Sequence, residues 1–236
     1  MAFWALLEAD LKVMAGSWVV RIWGLLLIAQ ILVTIPTAAT QGTAAISLSD
    51  LLGTFPLIWA IVVILNSAGA VSSETGVVAD SILSKAITRY EYILAKLISR
   101  LLTNLLLYLI SALTAAYLLS RYAIENNLDT TGAAYSISLI GMLMVLVTSL
   151  GVAFSTFFDR SAVAIVVTWI LWMAAGGIFA LFKLENLSPV HILDRLPDAL
   201  AGEFSARAQW EALIGFTLAS SVVIGAAIMH YARKDL

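Results

Sequence analysis

The sequence predicts an all-α fold, a polytopic bundle of six transmembrane helices, on three observations. Hydrophobic residues make up 61% of the 236 and charged residues only 12%, against about 25% charged in an ordinary soluble domain. Six apolar runs recur, at residues 18–40, 51–72, 95–120, 135–158, 162–182 and 212–232, and about 20 apolar residues let a helix cross roughly 30 Å of hydrocarbon. All six are far too long for strands, and isolated strands would leave their backbone groups unpaired in lipid.

The elements follow in chain order. Residues 1–16 carry Glu8 and Asp10 and no basic leader, so they do not read as a cleaved signal peptide. Phe3, Trp4, Leu7, Leu11 and Met14 fall at helical spacing with Glu8 and Lys12 off that stripe, which predicts an amphipathic helix lying at the membrane surface. It either anchors the first span or contacts a cytoplasmic partner. Between the second and third runs, Val78, Ala79, Ile82, Leu83, Ala86 and Tyr90 share one helical face, with Asp80, Ser81, Ser84 and Lys85 on the other. Thr88 with Glu91 three residues later fits a capping box, so a second helix is expected to start near Arg89 and run into the third span. Helix, turn, helix makes a stiff knob; the plainer alternative is a solvated loop.

Further on, little more than Asp159, Arg160 and Ser161 joins spans four and five, which forces a tight antiparallel pair. The last connection, 183–211, holds a helix start at Ser188 and Pro189. Its Val190, Leu193, Leu196 and Leu200 either dip into the outer leaflet or cap the bundle. No repeat, low-complexity tract or soluble domain interrupts the chain, so residues 1–236 read as one domain.

Orientation follows from basic residues, which are retained on the cytoplasmic side. Lys12, Arg21, Lys85, Arg89, Lys96, Arg100, Arg160, Arg233 and Lys234 belong to one side; Arg121, Lys183, Arg195 and Arg207 belong to the other. The richer side is read as cytoplasm and carries both termini, in a cell (inner) membrane. Trp18, Trp23 and Trp210 sit near predicted span ends and are expected to be interfacial anchors. Trp169 and Trp172 fall mid-span, as packing or as a cavity wall.

Glu74, Gly76, the run I-L-S-K at Ile82 to Lys85, Thr88, Arg89 and Lys96 resemble the pattern of the membrane subunit of type-2 ABC exporters. That class includes drug, polysaccharide and nitrous-oxide-reductase-maturation permeases. The surface helix, six spans, long last connection and closing Y-A-R-K-D-L agree with it. Ala86 departs from it, where many relatives have proline. The resemblance implies a half-transporter paired with a second permease and two cytoplasmic ATPase subunits, with ATP and Mg bound by those partners and no cofactor on this chain. The coupling role would fall to 74–89, through Glu74, Gly76, Asp80, Ser84, Lys85, Thr88 and Arg89. The sequence has no G-x-x-x-x-G-K-[ST] phosphate loop, in keeping with that division of labour.

Polar residues inside the spans should face protein or a cavity, since an unpaired polar group in hydrocarbon is costly. Asn66 and Asn104 are thus expected to serve helix packing or a transport pathway, and Gln30, Thr148 and Ser149 to be paired. No acidic residue lies deep in a predicted span, which weighs against a carrier driven by protons or sodium through buried carboxylates. His191 and His230 fall on opposite sides, which argues against a shared metal site. Gly141, Gly151, Gly176 and Gly177 suggest close helix approach. Two alternatives remain. A membrane-embedded enzyme would need a catalytic constellation, and neither H-E-x-x-H nor G-x-S-x-G occurs; a scaffold would show no nucleotide-dependent movement.

Overall fold

The computed structural model describes residues 2–74, 88–181 and 187–233. Its described elements are helices: α1 (Ala2–Gly16), α2 (Trp18–Gln41), α3 (Ala44–Ala68), α4 (Arg89–Tyr122), α5 (Thr130–Phe157), α6 (Ser161–Leu181), α7 (Pro189–Asp194), α8 (Leu196–Leu200) and α9 (Ala206–Arg233). Six of these, α2 to α6 and α9, are long and apolar enough to cross a membrane. The all-α expectation holds, and the chain is a multi-pass membrane protein.

Local chemistry sets the boundaries. Helix α3 starts seven residues before the expected position because Thr43 caps it, its hydroxyl accepting from the Ile46 amide at 3.5 Å. That brings Asp50, an exposed residue, into the helix. The start of α5 is set by Asp129, whose Oδ2 accepts from the Gly132 amide at 2.7 Å. At α4 the anticipated capping box is present: the Thr88 amide donates to Glu91 Oε2 at 2.9 Å and the Glu91 amide to Thr88 Oγ1 at 3.3 Å.

Helix α5 is the axis of the bundle. Its most apolar stretch is 72% buried, against 17–50% for the other five spans. Small residues allow this. A Cβ on Gly151 would stand 2.6 Å from the Cβ of Ser67, and one on Gly141 3.3 Å from the Tyr108 ring, so α3 and α4 press directly on α5 at these glycines. Gly176 likewise leaves room for Val190, whereas Gly177 faces open space.

Helix α3 is not regular. Phe55–Trp59 forms a wider π turn, at Pro56, which has no amide hydrogen to donate. Neighbouring side chains fix the turn, one through its backbone and one through its flanking side chains. Trp172 of α6 donates its indole N–H to the Pro56 carbonyl at 2.8 Å. Gln30 of α2 donates to Thr54 Oγ1 at 2.9 Å and accepts from the Trp59 indole at 2.8 Å. Trp172 is thus a packing residue.

At the end of the bundle remote from the termini, α7 and α8 fold back as a cap. Leu196 and Leu200 are buried, as expected of a cap, while Val190 is exposed and Ile192 takes the buried place at the start of that face. The Asp129 amide donates to the Leu200 carbonyl at 2.8 Å. A Cβ on Gly132 would fall 2.0 Å from the Ala199 carbonyl oxygen, so only glycine admits the contact. The expected anchors divide: Trp18 and Trp210 are exposed, but Trp23 is 1% exposed. Trp23 lies on the face of α2 with Leu27 and Ile31 that joins the core, which its closeness to the span end concealed.

Candidate functional site

The segment singled out by the sequence leaves α3 and returns into α4. Residues 75–87, including Gly76, Asp80, Ser84 and Lys85, lie outside the described residues; Glu74 ends a short 3-10 turn, Ser72–Glu74. What the structure places is the two roots of that segment.

The departing root is held by serines. Ser155 of α5 accepts from the amides of Val71 and Ser72 at 2.8 and 2.9 Å. The Ser72 hydroxyl lies 3.0 Å from that of Ser161, at the start of α6. These amides follow the end of α3, and all three serine oxygens lie in buried or part-buried surroundings. A buried amide without a partner is costly, so one hydroxyl serving two of them ties the root to α5.

The returning root is held by charge. Asp10 of α1 is 5% exposed, and its Oδ1 accepts from Lys96 Nζ at 2.7 Å. Its Oδ2 accepts a short hydrogen bond from the Ser99 hydroxyl. Arg100 Nη1 stands 3.5 Å from the same oxygen but is poorly aligned to donate, and its Nε and Nη1 have no hydrogen-bond acceptor. Lys96, Ser99 and Arg100 occupy one face of α4 at spacings of three and four, and all are buried. Helix α1 meets them with Leu7, Asp10 and Met14, themselves three and four apart and buried. The predicted stripe is therefore right at Leu7 and Met14, but Trp4 is 70% exposed and Asp10 takes a place on the buried face.

Two aromatic contacts extend this root to the last helix. The Tyr92 ring stacks on Tyr231 at 5.8 Å, and Lys96 Nζ lies 5.7 Å from the Tyr92 ring centre. Arg89 Nη1 donates to the Ala232 carbonyl at 3.4 Å near the end of α9, where a cation opposes the negative end of the helix dipole. Thr88 and Arg89 are thus built into the root, through the capping box and this contact.

Asn66 and Asn104 are brought together at mid-bundle. Asn66 Nδ2 donates to Asn104 Oδ1 at 3.5 Å, and Asn104 Nδ2 donates to Ser67 Oγ at 3.4 Å and Thr148 Oγ1 at 3.2 Å. Asn104 is 1% exposed. This joins α3, α4 and α5 in a neutral polar knot, which is helix packing in chemical character. Asp10, Tyr92, Ser99, Ser155 and Ser161 are site residues that sequence reasoning missed. Only the position of Asp10 three residues after Leu7 and four before Met14 hinted at its burial.

Comparison with curated proteins finds no match to this chain. A family model described as ABC-2 family transporter protein matches residues 25–203. That stretch takes in α3 and the α3 and α4 sides of the two roots, without Asp10 or the end of α9, and it ends beyond α8. The match covers most of the chain and agrees with six spans arranged around α5, so this chain belongs to the ABC-2 family as the membrane component of a transporter.

Proposed function

We propose that the chain is the permease half of an ATP-driven exporter, working with a second permease copy or homologue and a pair of cytoplasmic ATPase subunits. In this reading both termini and residues 74–89 face the cytoplasm of an inner membrane. Nine basic residues lie in or beside the segments on that side, namely Lys12, Arg21, Lys85, Arg89, Lys96, Arg100, Arg160, Arg233 and Lys234, as basic side chains are retained there. ATP and Mg belong to the partners, because this sequence has no phosphate loop. Glu74, Gly76, Asp80, Ser84 and Lys85 meet the ATPase, while Thr88 and Arg89 join that contact to α4. Closure of the ATPase pair pushes the segment and tilts α3 and α4, so that a cavity between permeases changes access from one side to the other.

The observation that carries this reading is that the segment springs from two anchored roots. A push on it is therefore received by packed helices rather than lost in a loose loop. The test combines Asp80→Lys with Lys85→Glu in the reconstituted complex. Transport and transport-linked ATP hydrolysis should fall while membrane insertion is unchanged; wild-type coupling in the double variant would overturn the assignment. The chain has no cysteine, so one cysteine placed at Ser84 checks the orientation. An impermeant maleimide should label it only from the cytoplasmic face, and labelling from outside would reject the topology.

A further inference from the structure

Helix α1 is short and poorly buried for an element so close to the moving parts. Its fully buried apolar contacts are Leu7 and Met14, and an isolated helix of 15 residues is marginal on its own. Its firmest hold is Asp10, whose carboxylate meets Lys96, Ser99 and Arg100 in a pocket where the Lys96 and Asp10 side chains are 3% and 4% exposed. Breaking one partner from a buried ion pair is far costlier than breaking an exposed one. The exposed pair on the same helix, Lys12 with Glu8 at 2.6 Å, ties α1 only to itself.

The location of that hold matters. Lys96 lies eight residues beyond the capping Thr88, about 12 Å up the helix at about 1.5 Å per residue, within the first turns to receive any displacement of segment 75–87. The opposite root is fastened to different helices, α5 and α6, through Ser155 and Ser161. We infer that Asp10 is a positioning residue for energy coupling: it makes α1 and the base of α4 one rigid lever, so that force on the segment between spans two and three carries the surface helix with it. This rests on the exporter reading above. The lever requires fastening, not charge as such, and any bond that joins α1 to α4 at this point should serve.

The test uses the full complex reconstituted in vesicles. Asp10→Asn should lower ATP-driven transport by about tenfold, within the range for coupling carried by one packed network, with the complex still assembled. Asp10→Cys combined with Ser99→Cys joins positions whose side chains already touch. This chain has no other cysteine to compete. Its oxidised form should transport and its reduced form should not. A folded, oxidised pair that stays inactive would mean that α1 must slide on α4, and wild-type transport in Asp10→Asn would mean that the hold is idle; either overturns the proposal. Amide hydrogen exchange on the chain alone separates this from the exporter reading. Exchange in α1 should quicken in Asp10→Asn whether or not an ATPase is present, and unchanged exchange would refute the fastening itself. Loss of all nucleotide-driven activity in the wild type, with the exchange difference intact, would instead refute the exporter reading alone.

Discussion

The two polar centres of this protein are built from different chemistry. At the foot of α4, Asp10 is set against Lys96 and Arg100; at mid-bundle, Asn66 and Asn104 meet Ser67 and Thr148 with no charged member. The difference follows depth. A formal charge at the centre of a bilayer is expensive, whereas neutral amides and hydroxyls can pair there at modest gain. Near the membrane surface, α1 shields an ion cluster that would not be tolerated deeper. The charged centre is therefore fragile to single changes, since each partner strands the others, while the neutral one loses little when any member is removed.

Four variants probe that contrast. Lys96→Met leaves the buried Asp10 carboxylate with the neutral Ser99 hydroxyl and, as its one remaining cation, the poorly aligned Arg100, and should cost about 3–5 kcal/mol, read as a lowered unfolding transition in detergent. Combining it with Asp10→Leu and Arg100→Met should recover most of that loss, because whole buried ion clusters can often be replaced by apolar groups. A triple variant no better than Lys96→Met would show that the charges do more than fasten. Asn104→Leu removes the hub of the neutral centre and should cost about 1–2 kcal/mol by the same measurement; a loss as large as that of Lys96→Met would erase the distinction. Lys12→Gln removes an exposed partner of Glu8, whose carboxyl the Lys12 ammonium holds below its ordinary pKa. No shift in the unfolding transition is expected there, and a measurable one would show that α1 owes its helix to surface charge.

The spans were legible because hydrocarbon demands long apolar runs, and such runs are local. The capping box at Thr88 and Glu91 was legible for the same reason, being four residues long. Where contacts are distant the sequence was mute. Asp10 and Lys96 are 86 positions apart, and Val71 and Ser155 are 84, so periodicity marks the faces without naming their partners. Trp23 was misread because an aromatic ring near a span end suits the interface and the core alike. The start of α3 was misplaced because Ser47, Ser49 and Asp50 dilute its apolar signal, though Leu48, Leu51 and Leu52 bury its inner face.

The wide turn at Phe55–Trp59 has a rotational consequence. It stores an extra residue in its coil, and releasing that residue into ordinary α geometry would swivel the following stretch by about 100° about its own axis. Residues Ala60 to Ala68, and with them Asn66 and Ser67, would then point elsewhere. The Trp172 indole on the Pro56 oxygen is a peg against that swivel, so the fifth span governs the azimuth of the second.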